Sequence, residues 1–137
     1  DECADKLVIF DGVTEFSTSS ATTDGGDTNC TGDCCDFGDP MIHNDVWYNY
    51  DATCSGTLTV STCDTVNYDS KIGIYDGCGA CPYGGNEIGC NDDGEGCPLF
   101  SSLATADVVQ GNCYTIRIGA FGPNDGGSGT VLVDCAP

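Results

Sequence analysis

Twelve cysteines in 137 residues constrain this chain more than any other feature of its sequence. A short chain that is about 9% cysteine is typical of a disulfide scaffold formed in an oxidising compartment. Because the number is even, every cysteine can find a partner, although spacing alone leaves the connectivity open. We predict that all twelve form disulfides: Cys3, Cys30, Cys34, Cys35, Cys54, Cys63, Cys78, Cys81, Cys90, Cys97, Cys113 and Cys135.

Zinc binding is the alternative use of clustered cysteines, and the spacing argues against it. Cys78 and Cys81 have the separation of a ligand pair, but no second matching pair follows them. His43 is the only histidine, and the adjacent Cys34 and Cys35 make a poor zinc knuckle. We therefore predict no zinc, and no redox role for Cys78 and Cys81, because no thioredoxin-like pattern surrounds them.

The ends of the chain and its apolar runs predict an extracellular location, either secreted or on the cell surface. The chain has no initiator Met, no signal peptide and no apolar run long enough to span a bilayer. Together with the cysteines, this is most simply explained by a mature secreted product. Asn29 begins a glycosylation sequon, and residues 17–23 are rich in hydroxyl groups that could carry O-glycans.

The charge of the chain is strongly negative, with 22 acidic residues, three Lys or Arg residues and a formal net charge of −19. Nucleic acid and anionic membranes are excluded as partners, because both are bound through Lys and Arg. The acidic surface either keeps the protein hydrated and soluble or recruits cations. The predicted partners are copies of the chain itself, other extracellular proteins, or glycans.

Short segments of alternating apolar and polar residues, separated by turn signals, predict an all-β fold. The turns recur about every 8–12 residues, and no segment has convincing helical periodicity. We predict one domain over residues 1–137, a jelly-roll or Greek-key β-sandwich of about eight or nine strands stapled by disulfides. The predicted strands cover residues 6–10, 13–19, 45–50, 57–61, 71–75, 87–90, 98–103, 112–118 and 130–135.

Six segments, in order along the chain, resemble the bacterial pre-peptidase C-terminal domain family and its cysteine-rich relatives. The resemblance implies a secreted, jelly-roll-like β-sandwich that serves as one module of a larger extracellular or surface protein. It further implies a non-catalytic accessory, adhesive or matrix-binding role, and some collagenase relatives bind Ca²⁺. The segments read DECA at 1–4, NDVWYNY at 44–50, GTLTVSTC at 56–63, YDSKIGIYDG at 68–77, CNDD at 90–93 and YTIRIG at 114–119.

The stretch 69–93 places oxygen-bearing side chains at the ends of two predicted strands. Carboxylates and amides are the ligands that Ca²⁺ prefers, so we predict a possible calcium site formed by Asp69, Asp76, Asn91, Asp92 and Asp93. The spacing is not that of an EF-hand, so the site depends on the fold. The alternative is that each is a turn residue that bonds its own backbone. A second acid-rich loop holds Asp24, Asp27, Asp33, Asp36 and Asp39.

Aromatic side chains could stack on sugar rings where they are exposed. We predict Tyr75 and Tyr83 as the ligand-binding aromatics, and Trp47 as a core residue of the sandwich.

Nothing in the chain has the pattern of a catalytic site. His43 could be matched with Ser61 or Ser101, but no nucleophile motif surrounds either serine. We predict a non-catalytic building block of an extracellular or surface assembly, such as a filament, with the apolar strand 6–10 donated to a neighbour. The alternative is a carbohydrate- or matrix-binding module with a Ca²⁺ site.

Overall fold

The structure is a computed structural model that describes residues 3, 6–23, 41–78 and 86–137. Nine β-strands lie within this described part of the chain. They are β1 (Leu7–Val8), β2 (Gly12–Ser17), β3 (His43–Asp51), β4 (Gly56–Ser61), β5 (Ser70–Asp76), β6 (Glu87–Asn91), β7 (Leu103–Val108), β8 (Cys113–Ala120) and β9 (Ser128–Ala136).

The strands form two facing sheets, which confirms the predicted β-sandwich. One sheet has five strands in the order β1-β3-β8-β5-β6, and the other has four in the order β2-β9-β4-β7. Strands β2 to β9 pass between the sheets in the order of a jelly roll, with antiparallel pairing throughout. The short β1 is added at one edge, where it pairs in parallel with β3.

The main core lies between the sheets and follows from the alternation of the strands. Leu58 and Val60 of β4 face Ile72 and Ile74 of β5, and all four are fully buried. Ile116 of the central strand β8 is buried among them. Each such side chain contributes about 1.5–3 kcal/mol by leaving water, so this layer holds the two sheets together.

A second buried layer covers the outer face of the five-stranded sheet. Trp47 and Tyr75 pack there with ring centroids 6.3 Å apart, and Cys3 belongs to the same cluster. The buried guanidinium of Arg117 lies 5.0 Å from the Trp47 ring, and its Nε donates to Asp45 Oδ2 at 2.8 Å. Strands β3, β5 and β8 are therefore buried on both faces, and Trp47 is a core residue as predicted.

The disulfides of the described residues tie distant strands together. They join Cys54 to Cys135, Cys63 to Cys97 and Cys78 to Cys113. Cys3 and Cys90 are also disulfide-bonded, so none of the eight described cysteines is a free thiol. Because Cys78 bonds Cys113, it does not form a pair with Cys81. The predictions for Cys30, Cys34, Cys35 and Cys81 fall outside the described residues.

The predicted strand over residues 98–103 is wrong. Pro98–Phe100 is a single 3₁₀ turn in which Leu99 and Phe100 have φ values of 56° and 57°. The strand begins only at Leu103, where the sequence analysis ended it, and runs to Val108. Within the described ranges, no helix is long and apolar enough to cross a membrane.

Candidate functional site

Three chain connections meet at one end of the sandwich, because strands that pair in register end and begin there together. Ser61, the last residue of β4, pairs with Leu103, the first residue of β7. Ser70, at the start of β5, pairs with Ala120, at the end of β8. The connections are residues 62–69, 92–102 and 121–127, and we call this end of the molecule the loop end.

A small cavity at the loop end brings acidic and aromatic side chains together. Its volume is about 220 Å³, and one residue comes from the β4–β5 connection, three from β6–β7 and one from β8–β9. We call it the acid–aromatic pocket and define it by Asp69, Asp92, Asp93, Phe100 and Phe121.

A buried hydroxyl network holds the β6–β7 connection in place beneath the pocket. The Ser102 hydroxyl shares its one hydrogen between two acceptors, the Ser70 carbonyl of β5 at 2.7 Å and the Asp92 carbonyl of the β6–β7 connection. The Thr62 hydroxyl lies 2.8 Å from the Ser70 hydroxyl and accepts from the Ser102 amide at 3.0 Å. Ser102, Ser70 and Thr62 are fully buried, so these bonds fix Asp92 and the turn that carries Phe100.

The three carboxylates of the pocket are close enough to share one cation. One oxygen from each of Asp69, Asp92 and Asp93 lies within 4.8 Å of the other two. Asp92 is buried, and Asp69 Oδ1 is a buried oxygen that accepts no hydrogen bond. Burial, and then the charges of Asp93 and Asp125, raise the pKa of Asp69 from 3.8 to about 6, against an opposing effect of Lys71. These carboxylates repel one another, and a bound cation would offset that repulsion.

The two phenylalanines form the apolar side of the pocket. Phe100 is 63% exposed, and its left-handed backbone turns the ring away from the regular strand path. Phe121 is half-buried, and the buried Lys71 Nζ lies 5.1 Å from its ring centroid. The same Nζ donates to the Met41 carbonyl at 2.9 Å. The Phe121 ring is therefore held against the buried Lys71, whereas the Phe100 ring is exposed to solvent.

The structure divides the five predicted calcium ligands. Asp69, Asp92 and Asp93 are brought together, whereas Asp76 ends β5, the strand that begins beside Asp69, and so lies at the opposite end of the sandwich. Asn91 is adjacent, but its Oδ1 accepts from the Leu103 amide at 3.0 Å and its Nδ2 donates to the Asp93 carbonyl at 3.4 Å. The Asn91 side chain therefore anchors β7, and its role as a calcium ligand stays a prediction.

The prediction of Tyr75 as an exposed, ligand-binding aromatic is wrong. Its ring is fully buried against Trp47, and its hydroxyl lies 3.4 Å from Arg117 Nη1, because outward-facing positions of β5 are covered by the second buried layer. Tyr83, the sequon at Asn29 and the acid-rich loop at 24–39 lie outside the described residues.

The aromatic residues that do reach the pocket were missed from the sequence. Phe100 lies in the predicted strand 98–103, and Phe121 lies between the predicted strands 112–118 and 130–135. The available signal for Phe121 was its position directly after a strongly alternating strand.

Comparison with protein families identifies one family that covers most of the chain. A T9SS-associated family described as galactose binding domain-like matches residues 1–126. The match supports a relation to a β-sandwich family, as the resemblance to the pre-peptidase C-terminal family implies. It does not support membership of the pre-peptidase C-terminal family itself. Among proteins of curated function, none matches the chain.

One solved structure shares the fold over nearly the full length of both proteins. It is a periplasmic inhibitor of g-type lysozyme from Aeromonas hydrophila. The similarity covers 94% of this chain and 95% of the inhibitor, with a TM-score of 0.51 and 16% sequence identity. An identity this low shows a common β-sandwich fold and nothing about shared ligands.

Proposed function

The chain belongs to the T9SS-associated family of galactose binding domain-like domains, and from that membership we propose that it is a non-catalytic glycan-binding module. Its disulfides between distant strands support folding in an oxidising compartment outside the cytosol, either extracellular or periplasmic. The T9SS association of the family supports export. The periplasmic location of the lysozyme inhibitor, a protein of the same fold, is compatible with either compartment.

The observation that carries this proposal is the pairing of carboxylates with aromatic rings in the acid–aromatic pocket. A sugar ring has an apolar C–H face and a rim of hydroxyl groups. Phe100 supplies an exposed ring for the apolar face, while Asp69 and Asp93 supply acceptors for the hydroxyl groups. Few precisely placed polar groups beside an apolar wall are the usual composition of a small-molecule site.

Calcium is the cation that this pocket would hold, through Asp69, Asp92 and Asp93. Ca²⁺ takes about six to eight oxygen ligands, more than three carboxylates supply. Water or the hydroxyl groups of a sugar would complete its shell. The buried Asp69 oxygen without a hydrogen bond and the raised pKa of this residue support the fit, because a cation satisfies both.

A glycan array followed by titration calorimetry tests the proposal, with CaCl₂ or EDTA in parallel. We expect Phe100→Ala to weaken binding about tenfold or more. Losing the stacking and burial of a phenylalanine ring typically costs about 1.5–3 kcal/mol of binding free energy. Phe10→Ala is the matched control, since Phe10 is 73% exposed but lies at the opposite end of the sandwich. Wild-type binding that survives Phe100→Ala unchanged would refute the pocket as the site.

Metal removal tests the calcium part separately. If EDTA changes neither the melting temperature nor glycan affinity, and Asp93→Asn behaves as wild type, the cation proposal fails while the glycan proposal stands.

A building block that associates with itself is the second candidate function, and one surface favours it. Leu7, Val8, Phe10 and Val13 are 66%, 56%, 73% and 69% exposed, and together we call them the N-terminal apolar edge. They lie on or beside β1 and β2, the terminal strands of the two sheets. Neighbouring free strand edges with apolar side chains are surfaces to which another chain can add.

A further inference from the structure

A second cavity lies at the loop end, and the connection 121–127 contributes to both cavities. Its volume is about 310 Å³, and none of the described residues that line it is aromatic. Hydroxyl, amide and carboxylate groups dominate its wall. We call it the polar pocket and define it by Thr18, Ser19, Asn44, Asn124 and Asp125.

The polar pocket is held by bonds between three separate parts of the chain. Asn44 has a φ of 52°, and its Nδ2 donates to the carbonyls of Pro123 at 3.0 Å and Asp125 at 2.7 Å. The Thr18 amide donates to the Gly127 carbonyl at 2.8 Å, and the Gly127 amide returns a bond to the Thr18 hydroxyl at 3.1 Å. Both hydrogens of the Asn44 side-chain amide are donated in these two bonds. The side-chain oxygen is therefore the Asn44 atom that can accept a hydrogen bond from a ligand.

The segment 121–127 forms a common wall between the two pockets. At its first residue, the Phe121 ring lines the acid–aromatic pocket, and its amide donates to the Asp69 carbonyl at 2.9 Å. Further along, Asn124 and Asp125 line the polar pocket. One short connection therefore contributes residues to both cavities.

We propose that the polar pocket is a second sugar subsite, so that the ligand is an oligosaccharide whose adjacent residues occupy the two cavities. This inference rests on the proposed glycan-binding function. Pockets that bury drug-sized ligands measure about 300–1,000 Å³. The acid–aromatic pocket, at about 220 Å³, lies below that range and suits one sugar residue. The two subsites differ in chemistry, since the first combines stacking with carboxylates and the second offers hydrogen bonds alone.

A galactose series measured by titration calorimetry tests the inference, with galactose, a digalactoside and a tetragalactoside as probes. We expect the affinity of wild-type protein to rise about tenfold from galactose to the digalactoside, as two or three added hydrogen bonds imply. In the double variant Ser19→Ala/Asn124→Ala, this gain should disappear while galactose affinity stays the same. Both side chains are exposed, and neither lines the first pocket. Gln110→Ala, an exposed change at the other end of the sandwich, is the control.

Two outcomes overturn the inference and are distinguishable from each other. Equal affinity for galactose and the longer probes, or a gain that survives the double variant, removes the second subsite and leaves the proposed function intact. Absence of binding to every member of the series overturns galactoside binding itself and the second subsite with it.

Discussion

Asp69 is the residue whose protonation should couple stability to pH. Its carboxyl has a pKa of about 6 in the folded protein and 3.8 in the absence of these surroundings. Because the folded state holds the proton more tightly, the free energy of unfolding that this group contributes is greatest below pH 3.8 and falls as the pH rises through 6. We expect Asp69→Asn to flatten this part of the stability profile, as measured by denaturant unfolding across the same interval. An unchanged slope in the variant would show that Asp69 titrates normally.

The buried pair of Arg117 and Asp45 predicts a large loss from a small substitution. Asp45→Asn removes a carboxylate charge that lies 2.8 Å from the buried guanidinium, while Arg117 still bonds the Ile42 carbonyl and faces Trp47. Removing one partner of such a pair costs roughly 3–5 kcal/mol. Urea unfolding should show this loss, whereas the same change at the exposed Asp51 should be close to neutral. A loss below about 1 kcal/mol, the level of a surface ion pair, would contradict a structural role for this buried ion pair.

At the scale of elements, the β6–β7 connection carries the acid–aromatic pocket and is fastened by Cys63–Cys97. Replacing both cysteines by Ala should cost roughly 2–4 kcal/mol, because the unfolded chain gains the freedom of a closed loop. It should also weaken glycan binding, since Asp92 and Phe100 lie on this connection.

The pair Cys54–Cys135 provides the control, because it closes a longer loop at the other end of the sandwich. Its double Ala variant should be destabilised at least as much in urea and retain full glycan affinity at a temperature where it is folded. Equal loss of binding in both variants would mean that binding follows global stability and not the fastening of this connection.

Most strands and the sandwich class could be predicted because alternation and turn residues are local signals. β7 could not, because its inward positions are Ala104 and Ala106, which carry little apolar signal. The structure explains their size: at Gly89 of β6, a Cβ would lie 2.3 Å from the Thr105 carbonyl oxygen, so the two sheet edges touch. Leu103, the one large apolar residue at the start of this strand, is 40% exposed.

The candidate site could be predicted in part for a similar reason. Asp69 and Asp92 follow from sequence because each flanks a strand of one antiparallel pair, β5 and β6. Phe100 and Phe121 lie on two different connections between strands. These connections come close together only because the two sheets pack against each other. The predicted exposure of Tyr75 is wrong because a second buried layer covers its face of the sheet. Alternation alone indicates that this face is exposed to solvent.

Few basic groups reach the surface of the described part of the chain. Of the three Lys and Arg residues, Lys71 and Arg117 are buried, and the Lys6 ammonium group donates to the Cys3 carbonyl at 3.3 Å. Asp45 and Asp92 are buried as well, so the buried charges offset each other formally and the rest of the molecule carries the formal net charge of −19. Two copies must repel each other at long range, whatever apolar surface they could share.

Self-association through the N-terminal apolar edge should therefore depend on ionic strength. The Debye length falls from about 30 Å at 0.01 M salt to about 3 Å at 1 M, so repulsion is screened while burial of Leu7, Val8 and Phe10 is not. We expect sedimentation velocity to show monomers at low salt and larger species at high salt, and Phe10→Asp to remain monomeric in both. Leu99→Asp is the matched control, since Leu99 is 65% exposed at the loop end.

The size of the species decides between two kinds of assembly. An edge that pairs with its own copy closes at a dimer, whereas the filament predicted from sequence needs a second, different contact on each copy. Mass that stops at two chains would therefore oppose the filament. Association that persists in Phe10→Asp but disappears in Leu99→Asp would move the contact from the N-terminal apolar edge to the loop end, where it would compete with glycan.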